Sequence, residues 1–375
     1  MLLSVSLFSA LAFVLSAIFI PLIIKFCRVY SLYDTVNARK IHSGNIPRLG
    51  GVGIALSFII CAVICFLLNE SLSMKNSWPI LVSGMIIFIF GIIDDIVELK
   101  AIIKLIVQLI ASAIVVVNGF YFRKVFGLTL PWFVGMPLTF FWIIGIINSY
   151  NLIDGMDGLC SSLAITVLAS LGLIFYKNTG DAFSVCFILT GAILGFLIYN
   201  LPIPNAKIFM GDGGSQFLGF MIATIPLYTS TDNFEFNKLL MMIVLVSFPL
   251  FDTIAAIWRR IRDHRPIMSP DKLHLHHKLL NLGFTKVQAL IIVILIQILI
   301  CMTVVFSTYL GRLKATAMLL IALLFMTGFF TVIHYTNRAV LRKIRNDNAA
   351  RNSGIVPDYH KETSGKTDDG GPSEA

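Results

Sequence analysis

Asp94 and Asp95 stand side by side in GIIDDIVELK, between the apolar stretches 78–93 and 101–117. Two adjacent carboxylates repel, and a charge near mid-bilayer costs roughly 2.5–3.5 kcal/mol on insertion scales. A divalent cation or a transferred proton nearby would offset that penalty, so the pair is a candidate for catalysis or metal binding. Lys100 and Lys104 follow closely and can balance the charge or hold a phosphate. In NSYNLIDGMDGLCSSLA (148–164), Asn151, Asp154 and Asp157 recur every third residue, which would put them on one face of a helical turn. Gly155 and Gly158 admit a ligand close to the backbone. The spacing and the missing terminal Glu do not suit a calcium loop of the EF-hand type.

Three further clusters carry chemistry. In YNLPIPNAKIFMGDGGSQFLG (199–219), Asp212 sits among Gly211, Gly213 and Gly214, just ahead of an apolar run. Free backbone N–H groups there suit an anion, and a hard cation held by Asp212 could bridge phosphate oxygens. In RRIRDHRPIMSPDKLHLHHKLL (259–280), His274 and His277 would align on a helix, with His276 beside them. Histidines are good zinc ligands, but the other polar residues available are Asp and Asn, which suit Mg²⁺ better. Arg259, Arg260, Arg262 and Arg265 make the same loop an anion-recognition element. NARKIHSGNIPRLGG (37–51) adds Arg39, Lys40, His42 and Arg48, a basic edge for phosphate.

The elements that must position these residues are membrane helices. The 375 residues are 57% hydrophobic and 13% charged, with 30 Phe and a mean hydropathy of +0.87. A soluble domain of that composition would expose too much apolar surface. The fold class expected is an all-α polytopic membrane protein with about eleven spans, ten being the lower count. The stretches are roughly 2–24, 50–68, 78–97, 101–118, 132–150, 160–176, 182–200, 214–229, 238–257, 287–308 and 314–334. The first follows no Lys or Arg and is too long for a signal-peptide core, so it reads as a span. Residues 1–345 form the integral-membrane domain, and the polar segment 346–375 reads as a disordered cytoplasmic tail. The six cysteines are scattered and read as small hydrophobes.

Most of the 29 Lys and Arg residues fall in alternate loops, which predicts an outside N-terminus and a cytoplasmic C-terminus. Under that topology every polar cluster above lies on the cytoplasmic side. From Trp78 to Asp94 a helix spans about 24 Å, so the aspartate pair sits near the inner interface. Acids, a Mg²⁺-type site and basic groups at a bilayer surface point to phosphoryl transfer onto a lipid phosphate. A transporter with acids at mid-bilayer is the distant alternative.

The stretches RKIHSGNIPRLGG, GIIDD, NLIDGMDG, KIFMGDGGSQFLG and DKLHLHHKLL occur in the order seen in the polyprenyl-phosphate N-acetylhexosamine-1-phosphate transferases, glycosyltransferase family 4. The chain resembles that family from about 37 to 280. The resemblance implies a Mg²⁺-dependent transfer of a sugar-1-phosphate from a UDP-sugar to undecaprenyl phosphate with release of UMP, Mn²⁺ being a substitute. It implies catalytic roles for Asp94, Asp95, His274, His276 and His277, and metal binding by Asp212 with Asp94 and Asp95. It also implies substrate binding by Lys40, Lys104, Asn151, Asp154, Asp157, Asn200 and Phe209, the last stacking near uracil. About two extra residues between Asn200 and Asp212 make Asn205 an alternative to Asn200. Leu275 interrupts the histidines as HLHH, similar to the branch acting on UDP-GlcNAc, which starts O-antigen, common-antigen or teichoic-acid synthesis; the phospho-MurNAc-pentapeptide branch is the alternative. The implied partners are undecaprenyl phosphate, a UDP-N-acetylhexosamine and membrane lipids, without nucleic acid, and a homodimer is left open. The implied place is the bacterial cytoplasmic membrane.

Overall fold

The computed structural model describes residues 1–33, 46–177, 179–203, 205–228, 232–266 and 273–352. The helices are α1 (Leu2–Val29), α2 (Gly50–Leu68), α3 (Met74–Val97), α4 (Ala101–Val117), α5 (Trp132–Ile153), α6 (Leu159–Phe175) and α7 (Gly180–Asn200). They continue as α8 (Gly211–Thr224), α9 (Asp232–Leu245), α10 (Ser247–Arg262), α11 (Leu275–Asn281), α12 (Lys286–Ser307) and α13 (Arg312–Asn352). A two-residue hairpin, β1 (Lys124–Val125) and β2 (Leu128–Thr129), is a small addition to the all-α expectation.

Each of the eleven apolar stretches is mainly helical over its described residues, but seven helices among the described residues are long and apolar enough to cross a membrane, or eight if the bent pair α9–α10 is one span. The expected count of eleven is therefore not reached by length. The difference lies in α4 and α6, of 17 residues each, and α8, of 14. At 1.5 Å per residue a 17-residue helix covers about 26 Å, short of a hydrocarbon layer of roughly 30 Å.

α1 shows how these helices are built for lipid. Its buried residues Val5, Phe8, Ala12, Ser16, Ile20, Ile24 and Cys27 recur at helical spacing. Leu3, Leu7, Val14, Ile18 and Leu22 are exposed on the other side. An exposed stripe of large aliphatic groups is stable only against an apolar solvent, so this is a multi-pass membrane protein. All six cysteines are buried and unbridged, as expected.

α8 is the centre of the bundle. Every residue from Gly213 to Thr224 is buried, and α2, α3 and α5 pack around it. Small residues permit this approach. A Cβ on Gly91 of α3 would lie 2.4 Å from the Gly213 Cα, and one on Gly51 of α2 would lie 2.5 Å from the Gly214 Cα. The N-terminal part of α2 is further tied down by hydrogen bonds from Gly50 N to Phe209 O (2.9 Å) and from Gly51 N to Met210 O (2.8 Å).

α9 and α10 meet at 68°. Pro249 lies in the first turn of α10 and has no N–H for the Leu245 carbonyl. That carbonyl instead accepts a hydrogen bond from Gln297 Nε2 of α12 at 2.8 Å. α13 runs to Asn352, beyond the expected start of the tail at 346. Residues 353–375, and 34–45 with Arg39, Lys40 and His42, lie outside the described residues.

Candidate active site

The site is organised by the N-terminal end of α8. Asp95, in the last turn of α3, accepts a hydrogen bond from Asp212 N at 2.9 Å with Oδ1 and from Gly213 N at 3.0 Å with Oδ2. These are orphan amides of a helix start, and a carboxylate there also faces the positive end of the helix dipole. Gly211 has φ 79°, and a Cβ on it would lie 2.2 Å from Arg48 O and 2.6 Å from Asp95 Oδ2. Only glycine fits that place, which accounts for the first glycine of MGDGG.

Asp212 is thereby held with its carboxylate about 40% exposed. Lys104 Nζ lies 3.3 Å from Asp212 Oδ2 and also forms an ion pair with Asp94. Asp94 Oδ1 accepts from Leu99 N at 2.9 Å, which closes the end of α3. Asn151 donates to Ser215 Oγ at 3.0 Å and favours the charged form of Asp212. Although burial raises it, the Asp212 carboxyl is held below its usual range by Asp94, Lys104 and Asn151.

A cavity of about 310 Å³ opens beside Asp212. Asp95, Asn151, Asp154, Asp157, Asn200, Phe209, Asp212, His274, His276 and His277 all line it, with Arg48. Asp94 and Lys104 instead line a smaller recess behind Asp212, and reach the cavity through that residue. Asn200, not the exposed Asn205, is on the cavity. Its amide is spent inside the protein, accepting from Gly158 N and donating to Ile208 O, both at 2.9 Å.

The expectation of one helical turn for Asn151, Asp154 and Asp157 is corrected by the structure. α5 ends at Ile153, so only Asn151 is helical, and a turn carries the two acids into the cavity. Burial pushes the Asp154 carboxyl well up, reinforced by Asp212, Asp95 and Asp157. Asp157 is buried, with Lys286 Nζ of α12 at 3.6 Å.

His274 caps α11, which carries His276 and His277. Asp252 of α10 holds this start: its Oδ2 is 2.7 Å from His274 Nδ1, and its Oδ1 accepts from Leu275 N at 2.9 Å. His276 is buried, and its Nδ1 has no hydrogen-bond partner among the described residues. Its ring closes over the 154–158 turn, so that a Cβ on Gly155 would lie 2.5 Å from His276 Cε1. Burial first, then His277 and His274 against the opposing Asp252, push His276 down to about 3, so the ring is neutral at pH 7. Sequence reasoning missed Asp252 and Lys286. For Asp252 the signal was present as a lone acid in the apolar SFPLFDTIAAIW.

Among the described residues, no three His, Cys, Asp or Glu side chains close around a point as a metal-binding group. The set Asp94, Asp95 and Asp212 is divided: Asp94 is paired with Lys104, and both Asp95 oxygens take amides. Asp212, with Asp154 and Asn151 on the same cavity, still fits Mg²⁺. That ion is commonly held by one or two carboxylates, with substrate phosphates and waters completing its shell.

Membrane-length helices around an acid- and histidine-lined cavity define an integral-membrane protein with an enzyme-type site. The pattern of glycosyl transferase family 4 matches residues 77–230. The chain is 33% identical over 283 residues to the probable undecaprenyl-phosphate N-acetylglucosaminyl 1-phosphate transferase of Bacillus subtilis (strain 168), covering 74% of this chain and 77% of that one. It is 30% identical over 338 residues to the undecaprenyl-phosphate alpha-N-acetylglucosaminyl 1-phosphate transferase of Salmonella typhi, covering 87% and 89%. It is 28% identical over 369 residues to the protein of the same name from Escherichia coli (strain K12), covering 93% and 96%. The chain belongs to glycosyl transferase family 4.

Proposed function

We propose that the chain transfers GlcNAc-1-phosphate from UDP-GlcNAc to undecaprenyl phosphate, releasing UMP, as the first membrane step of a cell-envelope polysaccharide pathway. The observation that carries this reading is the gathering of Asp212, Asp154, His276 and Arg48 on one cavity at the end of a membrane-helix bundle. The names of the relatives support undecaprenyl phosphate and GlcNAc-1-phosphate. The cavity faces the cytoplasm of a bacterial inner membrane, where basic loops concentrate.

An acceptor phosphate monoester has a second pKa near 6 and is mostly a dianion at pH 7, so it needs little general-base help. Its oxygen attacks the sugar-linked phosphorus, the bond from that phosphorus to the bridging oxygen breaks, and UMP leaves. Asp212 with Asp154 would hold Mg²⁺, which when bound offsets the charge of the two phosphates. Arg48 and the neutral His276 bind phosphate or sugar oxygens, and positioning supplies much of the rate. Direct attack is favoured over a covalent Asp95 adduct, because both Asp95 oxygens already accept α8 amides.

Purified protein with Mg²⁺, radiolabelled UDP-GlcNAc and undecaprenyl phosphate is expected to yield lipid-soluble label and UMP. No turnover with any UDP-N-acetylhexosamine overturns the reading. A glycosyl-phosphorylated Asp trapped with donor alone overturns direct attack.

A further inference from the structure

A second cavity, of about 540 Å³, lies between α10, α11 and α13. Among the described residues it shares no lining residue with the catalytic cavity. One half is cationic: Arg259 and Arg262 of α10, Lys278 of α11 and Arg338 of α13 line it, and all four act electrostatically on His334 at its wall. Arg259 and Lys278 are themselves buried. Among the described residues no carboxylate lines it; Arg262 pairs with the neighbouring Asp263 at 2.8 Å. The other half is apolar, with Phe251, Ile254 and Phe330. Trp258 and Tyr335 line the cavity and are about two-thirds exposed, the placement that marks a membrane–water interface.

A ligand matching both halves has a negative headgroup continuous with a hydrocarbon tail. We propose that this cavity binds an anionic phospholipid, its phosphodiester on Arg262, Arg338 and Lys278 and its tail along Phe251, Ile254 and Trp258. The charge complementarity and the interface position select a bilayer lipid over a soluble phosphate. The cavity holds none of the acids or cavity-lining histidines of the catalytic site, so a phosphate here is not poised for transfer. Lys278 follows His276 and His277 directly on the seven-residue α11. A bound headgroup therefore braces the helix that carries the site histidines. This inference goes beyond the proposed transfer reaction and does not depend on it.

The test uses the full chain in nanodiscs and reads the quenching of Trp258 by lipids brominated in the acyl chain. The Trp258 signal is the part of the quenching that disappears in Trp258→Phe. Brominated phosphatidylglycerol is expected to quench it more than brominated phosphatidylcholine at equal bromine content. Removing two interfacial charges in Arg262→Gln/Arg338→Gln is expected to reduce that preference about tenfold. The exposed pair Lys25 and Arg28, at the end of α1, supplies the control Lys25→Gln/Arg28→Gln, which is expected to keep the preference. Equal quenching by the two lipids overturns the proposal, as does an equal loss in the control. Relief of the quenching by a few mole per cent of undecaprenyl phosphate also overturns it, by making the cavity an acceptor site.

Discussion

Asp252 and His274 come from different helices and meet at 2.7 Å in a buried pair, with the second Asp252 oxygen on Leu275 N. One carboxylate thus orients an imidazole and caps the helix that carries two more. Asp252→Asn keeps the volume but replaces one of the two acceptor oxygens with a donor. It is expected to lower kcat about a hundredfold with a smaller change in KM, because small misplacements of a site group carry penalties of that order. Steady-state kinetics of the purified variant check this, with Asp252→Glu recovering part of the loss.

Asp95 is expected to matter to stability as well as to turnover. Asp95→Ala leaves two amides of a buried helix start without acceptors. A lost cap typically destabilises by about 1 kcal/mol, more where the amides stay dry. Unfolding of the detergent-solubilised protein should show Asp95→Ala less stable than Asp94→Ala.

Gly155→Ala tests the closure of α11 over the 154–158 turn. The new methyl would overlap the His276 ring at 2.5 Å, whereas Gly145→Ala meets nothing within 4 Å. Gly155→Ala is expected to lose at least about tenfold in kcat/KM, with its thermal midpoint nearly unchanged. Gly145→Ala should match the parent protein in both.

His276 predicts the acid behaviour of the fold. In the folded chain it takes up a proton only near pH 3, whereas its ordinary value is 6.5. The unfolded state therefore binds more protons between these values, so stability falls as pH drops from about 6.5 toward 3. Above pH 6.5 this residue makes no slope. His276→Gln should flatten the decline, as measured by chemical unfolding between pH 7 and pH 4.

The candidate chemistry was legible in the sequence wherever an apolar chain carries polar groups at odds with its surroundings. Asp94, Asp95, Asp154, Asp212 and the three histidines stood out for that reason. Their division of labour was not legible. Asp94 and Asp95 are neighbours in the chain, yet one pairs with a lysine and the other caps a helix. Asn200 looked like a ligand contact, and its amide is spent inside the protein. Asp252, a lone acid in an apolar run, became meaningful only when α11 folded onto it.

Local composition determined that this chain builds apolar helices, because backbone groups in lipid must satisfy one another within the segment. It also determined which residues could bind phosphate or a hard cation. The tertiary structure alone decided which stretches attain membrane length, where Pro249 bends a helix, and which side chains share the cavity beside α8. The reason is physical: hydropathy and spacing act over a few turns of one helix. Pairings such as Asp95 with Gly213 and His274 with Asp252 instead join residues distant in sequence, through the packing of small residues around a buried helix.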